Sequence, residues 1–559
     1  MLYFSKVLFI LLTFDSMKKL ISILLFLAFS HVCNAHWPTP SFPIWTGINA
    51  GHLSENSISK AIDANGAIFI ATHEPNINGS DIWIQKMDSS GNLLWGFAGV
   101  QVLPSTNTQK NPVVLPDGSG GCFLAYFDDN APFGAFVQHY DINGLPLLPG
   151  RGRKLVSHIS NFWDDLSMVT DGQFLFCTMT LEKPATNEQV YAQKLDLNLN
   201  LLWDTTGIAV SPSANEYQNR SCLPDGQGGL TVLFTRYSSS INQYLRVQHL
   251  DGIGNLLWSA NGIELNTGQP TGEGRSILEK GPQSSYYVCW DGGTNSLFTG
   301  IYLSKIDSAG VKSWGNTPVT VFDTINNQDL PDLEIDTNGN AYVTWRDFRS
   351  GVGFNCYVQK VSQTGNLLWT IPTAIDTLQQ PQYVFPRILL LSNGLHVYWG
   401  SYTSNYILKK QVIDGNGNKR CTPSGFDLSS PGFTPVIDNY LIRMPQGGIC
   451  FLLTNMSGSL NNVYIEYNHT ACVLPVAVEE IPVKTSFALY PNPAEDFITL
   501  EQTNGWGSVR WVQLFDINGR LQIEKSVTPN MNSITFSIAA LPAGVYILKA
   551  GNEVMKFVK

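Results

Sequence analysis

Charge is scarce in this sequence. Asp, Glu, Lys and Arg make up 14% of 559 residues, too few to lace the exposed faces of a mainly helical protein with ion pairs. The balance is acidic, with Asp plus Glu at 44, Lys plus Arg at 34 and a formal charge of −10. That excludes a general electrostatic attraction to nucleic acid. The basic cluster Arg151-Gly152-Arg153-Lys154 reads as a solvated turn. The nine cysteines form no CxxC and no Cys/His ligand spacing, so no zinc or redox motif is present. No GxSxG, HExxH, Walker or GxGxxG motif stands in a suitable context. The sequence therefore assigns no catalytic, cofactor-binding or metal-ligating residue, and no cofactor. Beyond the N-terminus no apolar run reaches the length of a membrane span.

What is present points to β-structure. Gly (49), Trp (14), Tyr (21) and Phe (29) are abundant, a mixture of turn formers and strand-favouring aromatics that predicts an all-β protein. At the N-terminus Lys18 and Lys19 precede an apolar run from Leu20 to Phe29 that ends at Cys33-Asn34-Ala35. Charged start, short apolar core and a small residue at the cut describe a secretory signal peptide over 1–35, with Met17 as an alternative start. Export permits disulfides, and Cys421 with Cys472 is the candidate pair. Cysteines in apolar text such as Gly121-Cys122-Phe123 act as small buried hydrophobes.

Most of the chain is a repeat. GNLLW occurs at 91–95, 254–258 and 365–369, with altered forms at 199–203 and 310–314. Its last position falls at Trp95, Leu148, Trp203, Trp258, Trp314, Trp369 and Cys421, spaced by 53, 55, 55, 56, 55 and 52 residues. A further copy lies at Trp45. Ahead of each stands a turn such as Leu115-Pro116-Asp117-Gly118 or Leu223-Pro224-Asp225-Gly226. Asp-Gly and Asn-Gly between apolar runs mark tight hairpins, because glycine tolerates the positive φ they need. One period thus holds about four short strands, the content of one propeller blade.

Neighbouring blades must cover each other's faces. The predicted architecture over 36–472 is a β-propeller, with eight blades preferred and seven as the alternative. The Trp45 strand is expected to complete a blade with the hairpin at 440–467. Trp45, Trp95, Trp203, Trp258, Trp314 and Trp369 are read as blade-packing residues, since burial of an aromatic covers roughly 150–250 Å². The recurring Gln85, Gln138, Gln193, Gln248 and Gln359 are read as hydrogen-bonded groups between blades.

The text Trp345-Arg346-Asp347-Phe348-Arg349-Ser350-Gly351, followed by Tyr357-Val358-Gln359, resembles the repeats of secreted bacterial propellers with W-x-D-x-R-x-G and Y-x-Q motifs. The D-x-x-G-N-L-L-W end is similar to the tryptophan-docking pattern of quinoprotein dehydrogenases. Their adjacent Cys-Cys pair is missing here, which speaks against pyrroloquinoline quinone.

After a linker at 473–486 the text changes in kind. Tyr490-Pro491-Asn492-Pro493, then Asp516-Ile517-Asn518-Gly519, then Gly544-Val545-Tyr546 and finally Lys559 follow one another among short alternating strands. The spacing predicts a small immunoglobulin-like β-sandwich over 487–559. These motifs closely resemble the type A sorting domain of type IX secretion substrates. The resemblance implies a Gram-negative bacterium of the Bacteroidetes kind, recognition by the outer-membrane translocon and sorting machinery, and a secreted or surface-anchored product. Asp307-Ser308-Ala309, Asp323-Thr324-Ile325 and Asp376-Thr377-Leu378 also resemble the O-glycosylation sequon of such bacteria.

For the repeat region the expected function is binding of a glycan or protein partner, not catalysis. The alternative is a propeller glycoside hydrolase or polysaccharide lyase with carboxylates drawn from different blades. Asp128-Asp129 and Asp164-Asp165 are not themselves such pairs, because neighbours on a strand point to opposite faces. Asp414-Gly415-Asn416-Gly417-Asn418 begins like a calcium loop but is read as a hairpin turn.

Overall fold

Each Asp-Gly or Asp-x-x-Gly turn closes a hairpin by the same local chemistry. Asp225 Oδ1 accepts the N–H groups of Gln227 (2.6 Å) and Gly229 (2.8 Å). Asp251 Oδ1 accepts those of Ile253 (3.0 Å) and Asn255 (2.8 Å). The carboxylate replaces the partners that turn amides would otherwise seek in water. Asp414 does the same for Asn416 and Asn418, at 2.9 Å each, so this segment is a hairpin turn. Among the described residues no group of three or more His, Cys, Asp or Glu could hold a metal ion.

The computed structural model describes residues 42–43, 58–468 and 487–559, apart from stretches of at most eight residues within the longer spans. The predicted signal peptide, Trp45, the linker, Cys472 and Gly519 lie outside the described residues. The chain divides into two compact units, Met1–Val473 and Leu474–Lys559. Among the described residues all regular structure is antiparallel β, apart from a 3-10 turn at Pro282–Ser284.

The first unit contains eight sheets among its described residues. Sheets 1 to 7 span 58–101, 109–154, 161–209, 216–264, 276–322, 328–380 and 387–427, each with four strands in chain order. Sheet 8 is built from 433–468, and Phe42–Pro43 pairs with its strand Val463–Asn468, placing Phe42 opposite Ile465. The two ends of the repeat region therefore share one sheet. First strands touch one another in succession from sheet 1 through sheet 7, and the first strand of sheet 1 also touches Leu441–Arg443 of sheet 8.

Consecutive sheets are joined by apolar clusters. Phe176, Val190 and Trp203 of sheet 3 pack with Tyr217, Val232 and Phe234 of sheet 4. The tryptophans of the repeat meet the turn of the following sheet. The Nε1–H of Trp95, Trp203, Trp314 and Trp369 donates to the carbonyls of Ile142, Gly252, Gln363 and Gly415 at 3.0, 3.3, 3.0 and 3.3 Å. The glycine of the next GNLLW copy faces the same ring. A Cβ at Gly365 (φ +88°) would lie 3.0 Å from the Trp314 ring, and one at Gly417 would lie 3.0 Å from that of Trp369. Glycine is thus required twice, for its backbone angle and for this approach.

One junction departs from that rule in both partners at once. Leu148 stands where the tryptophan would be, and Leu199, at φ 62°, stands where the next glycine would be. Leu199 is fully buried, and Leu148 packs against the same cluster. A smaller first residue leaves room for a larger second one.

The repeated glutamines do not chiefly link blades. Gln359 Nε2–H donates to Trp369 O (2.9 Å), and its Oε1 accepts from Lys360 N (2.8 Å) and Trp369 N (3.3 Å). Gln85, Gln138 and Gln248 make equivalent bonds within their own sheets. Gln193 also reaches the preceding sheet's segment, at Leu155 O (3.1 Å). The buried amide satisfies the connection between third and fourth strands, where the ladder lapses. The Arg151–Lys154 cluster is also more than a solvated turn: Arg151 lies 4.4 Å from the Phe136 ring and 3.8 Å from the buried Asp128. Cys421 is disulfide-bonded, with its partner outside the described residues.

The second unit holds two antiparallel sheets. One comprises Phe487–Tyr490, Phe497–Gln502 and Ser533–Ser537; the other comprises Leu521–Ser526, Trp511–Asp516, Val545–Ala550 and Glu553–Val558. Alternating residues of both, including Ile498, Leu500, Val512, Leu514, Phe536 and Leu548, form one core.

Candidate functional site

The first strand of each of sheets 2, 3, 4 and 6 breaks register, near its start in sheets 2, 3 and 6 and midway in sheet 4. The breaks fall at Lys110/Val113, Phe162/Leu166, Asn219/Ser221 and Asp329/Asp332. Bulges re-aim side chains, and they recur beside binding and catalytic sites. Those of sheets 2, 3 and 4 sit on edge strands that touch in succession, and that of sheet 6 lies one sheet further on. Two of them hold non-glycine residues at positive φ, Asn111 (54°) and Leu330 (52°).

The bulges expose and orient polar groups. In sheet 4, Arg220 Nε–H donates to Thr235 Oγ1 (2.8 Å), and its Nη2 donates to Tyr237 Oη (3.2 Å) and Gln243 Oε1 (3.3 Å). Tyr237 in turn donates to Gln218 Oε1. In sheet 3, Asp165 Oδ2 accepts from Thr180 Oγ1 (3.3 Å); the side chain of Asp164 is outside the described residues. In sheet 6, Arg346 grips Asp329 with two bonds of 2.7 and 2.6 Å and covers the Phe354 ring at 4.2 Å.

Asp291, on the second strand of sheet 5, crosses to this bulge. Its Oδ2 accepts the Leu330 N–H at 3.1 Å, while its Oδ1 is buried with no hydrogen-bond partner. Burial, and then the Asp329 charge, push its pKa up to about 7. A second carboxyl is displaced in the same direction. Burial, and then the charges of Glu334 and Asp332, push Glu279 up to about 7.

Glu279 and Glu334 hold equivalent positions, opposite Tyr287 and Tyr342 in sheets 5 and 6. In sheets 1, 2, 3, 4 and 7 that position is Ala61, Leu115, Val169, Leu223 and Leu389. The carboxyl pair is peculiar to two neighbouring sheets. It was legible in principle, since the two glutamates are 55 residues apart, one repeat period.

The raised Asp291 carries a pH prediction. Between its ordinary pKa of 3.8 and about 7 the native state binds the proton and the unfolded state does not. Stability therefore falls as pH rises through that window and is level above it. The span corresponds to on the order of 4 kcal/mol. Asp291→Asn removes this titration. Its melting temperature relative to the parent should rise between pH 4.5 and pH 8; an equal difference at the two pH values would exclude the protonated carboxyl.

The W-x-D-x-R-x-G text forms a closed structural unit at the hairpin of sheet 6. Arg349 lies 3.9 Å from the Phe322 ring and 3.8 Å from the Tyr357 ring. It forks onto Asp347 at 2.8 and 2.5 Å, and Trp345 Nε1–H donates to Asp347 Oδ2 at 2.9 Å. In sheet 2, Asp128 accepts from Asn130 N (2.8 Å) and Nδ2 (2.9 Å) beside Arg151. Neither aspartate is free to act on a ligand.

The described sorting residues, Tyr490 aside, gather around the last strand of the second unit. Asn492 Oδ1 accepts Val558 N–H (3.0 Å) and its Nδ2 donates to Lys556 O (3.1 Å). Pro491 and Pro493 flank it in an exposed turn. Gly544 and Lys559 exchange backbone bonds of 2.9 Å. The Lys559 ammonium donates to the carbonyls of Ile538 (2.5 Å), Ala539 (2.8 Å) and Leu541. Tyr546 stands opposite both Asp516 and Phe557 and donates to Pro542 O at 2.7 Å. Tyr490 reaches away to Glu501 Oε2 at 2.9 Å.

Residues 488–559 match the family described as the secretion system C-terminal sorting domain. This module directs the chain to export through the type IX system, to the cell surface or the medium. No curated protein matches the sequence. Among solved structures, the chain is similar to polysaccharide lyase Uly1 at 8% identity and a TM-score of 0.41, over 78% of this chain and 95% of that one. It is similar to puromycin hydrolase at 11% and 0.39, over 75% of this chain. The chain spans only 61% of that hydrolase. An endo-arabinase from Bacteroides thetaiotaomicron VPI-5482 gives 12% and 0.29, over 47% of this chain and 97% of that one. Likenesses this distant define neither fold nor activity. Among the described residues, no helix is long and apolar enough to cross a membrane.

Proposed function

We propose that residues 36–472 form an eight-bladed β-propeller that binds a glycan at the bulged ends of its inner strands, and that 487–559 form an immunoglobulin-like sorting sandwich. Eight sheets in succession, first strands that touch in turn and a last sheet completed by Phe42–Pro43 support the architecture. Trp45, Trp95, Trp203, Trp258, Trp314 and Trp369 are its blade-packing residues. Tyr490, Pro491, Asn492, Pro493, Asp516, Gly519, Gly544, Tyr546 and Lys559 form the sorting signal read by the translocon and sorting machinery.

The observation that carries the binding reading is the set of register breaks on the first strands of sheets 2, 3 and 4, which adjoin, and of sheet 6. They present neutral and cationic polar groups together, while Asp128, Asp329 and Asp347 are held by arginines. One observation favours a hydrolase or lyase instead. Glu279 and Asp291 have pKa values of about 7 beside other carboxylates, the division of labour that acid and base catalysis needs. A glycan array and a product-release screen on the purified mature chain decide between them. Saturable binding without product supports the module; reproducible cleavage lost in Glu279→Gln would establish the enzyme.

Export gives a separate expectation. A chain lacking 487–559 should fold its first unit and remain in the periplasm, as fractionation and surface proteolysis would report. Normal surface display of the truncated chain would refute the sorting assignment.

A further inference from the structure

Arg220 is a cation with no carboxylate partner among the described residues. It is the bulged residue on the first strand of sheet 4, Glu216–Pro224, where the register breaks between Asn219 and Ser221. Its contacts are a threonine hydroxyl, a tyrosine hydroxyl and a glutamine carbonyl, at 2.8, 3.2 and 3.3 Å. Arg151, Arg246, Arg346, Arg349 and Arg420 each have a carboxylate within 4 Å. Among the described residues no carboxylate pairs with Arg220.

Three of its five N–H groups are used by Nε and Nη2, and the two on Nη1 make no hydrogen bond among the described residues. The residue is half-buried, and its three bonds fix the position of the guanidinium. A guanidinium held by neutral partners, with the two N–H groups of Nη1 left over, can give a charge-assisted hydrogen bond to an oxygen of a carboxylate or sulfate. A partly desolvated charge of this kind gains most from an anionic partner.

We propose that Arg220 is an anion-recognition residue of the inner-strand site, binding the carboxylate or sulfate group of an acidic glycan. This rests on the glycan-binding reading above. The surrounding chemistry favours a saccharide over an acidic peptide. Tyr237 and Gln218 are half-buried and offer a hydroxyl and an amide that can both donate and accept, as sugar hydroxyls require. The edge of the strand, which a peptide would pair with, is already flanked by the first strands of sheets 3 and 5.

The test uses the full mature chain with four polymers: polygalacturonate, dextran sulfate, neutral dextran and polyglutamate. Titration calorimetry should detect binding of polygalacturonate or dextran sulfate, and which of the two binds identifies the anion. Arg220→Gln should weaken that binding about tenfold or more, and Arg220→Lys, which keeps the charge but not the planar guanidinium held by Thr235, Tyr237 and Gln243, should fall between. The melting temperature of each variant checks that sheet 4 is intact. Unchanged affinity in Arg220→Gln overturns the proposal. So does binding of polyglutamate that depends on Arg220 when neither acidic glycan binds. Binding of dextran that is indifferent to Arg220 leaves the glycan reading standing and removes the anion subsite; no binding to any polymer or on the glycan array removes both.

Discussion

Replacing Arg349 by methionine is expected to cost about 3–5 kcal/mol, because it leaves a charge buried without its partner. The Asp347 side chain has no solvent exposure. Its ionised form is held by the Arg349 fork, by Trp345 Nε1–H and by the Arg349 backbone N–H at 2.9 Å. Methionine keeps an apolar stem but loses the guanidinium that lies against Phe322 and Tyr357 and offers no donor. Lysine keeps the charge and loses the paired geometry, so its loss should be smaller. Removing both charges, in Asp347→Asn with Arg349→Met, should cost less than Arg349→Met alone, since no ionised group then remains unpaired. Urea unfolding measures all three. An Arg349→Met chain within about 1 kcal/mol of the parent would show that Asp347 is not held as an ion.

The second large effect concerns the junction between sheets. Trp203 is 6% exposed, lies 6.0 Å from the Phe176 ring and covers Gly254. Trp203→Ala should cost about 3–5 kcal/mol, the usual range for emptying such a site. The Leu148–Leu199 junction tests the rule behind it. Leu148→Trp alone should be destabilising by about 1–3 kcal/mol, because Leu199 already fills the space. Leu199→Gly alone should also be destabilising, by a cavity in the core partly offset by relief of its positive φ. Together they should recreate the tryptophan–glycine contact and recover much of both losses. Simple additivity in that cycle would mean the two positions are independent, contrary to their packing in one cluster.

The position of Asp291 shows how far sequence reading reaches. Asp291 follows Trp290 in an apolar strand and carries no motif. Its character comes from Leu330 and Asp329, 39 and 38 residues away and in the next sheet. Arg220 was equally silent, since only its bulge and the lack of a carboxylate partner among the described residues make it unusual. The glutamines were visible as a repeat, but whether they tied one sheet or two depended on which carbonyl lay beside them. The departures from the repeat at Leu148 and Leu199 stand far apart in the sequence, and only the structure brings both into one core cluster.

What the amino-acid sequence determined by itself was everything encoded within a few residues. An Asp side chain bonding amides two and four positions ahead needs only local geometry, so hairpins, the period near 55 and the four-strand unit were all readable. The sorting module was readable for a related reason, as its motifs lie close together in one short stretch. Tertiary structure alone decided which side chains face each other across sheets. Those contacts join residues about one repeat apart, and no local preference specifies their partners. Burial and missing counter-charges, which set Asp291, Glu279 and Arg220 apart, are properties of such meetings and arise only when neighbouring sheets pack.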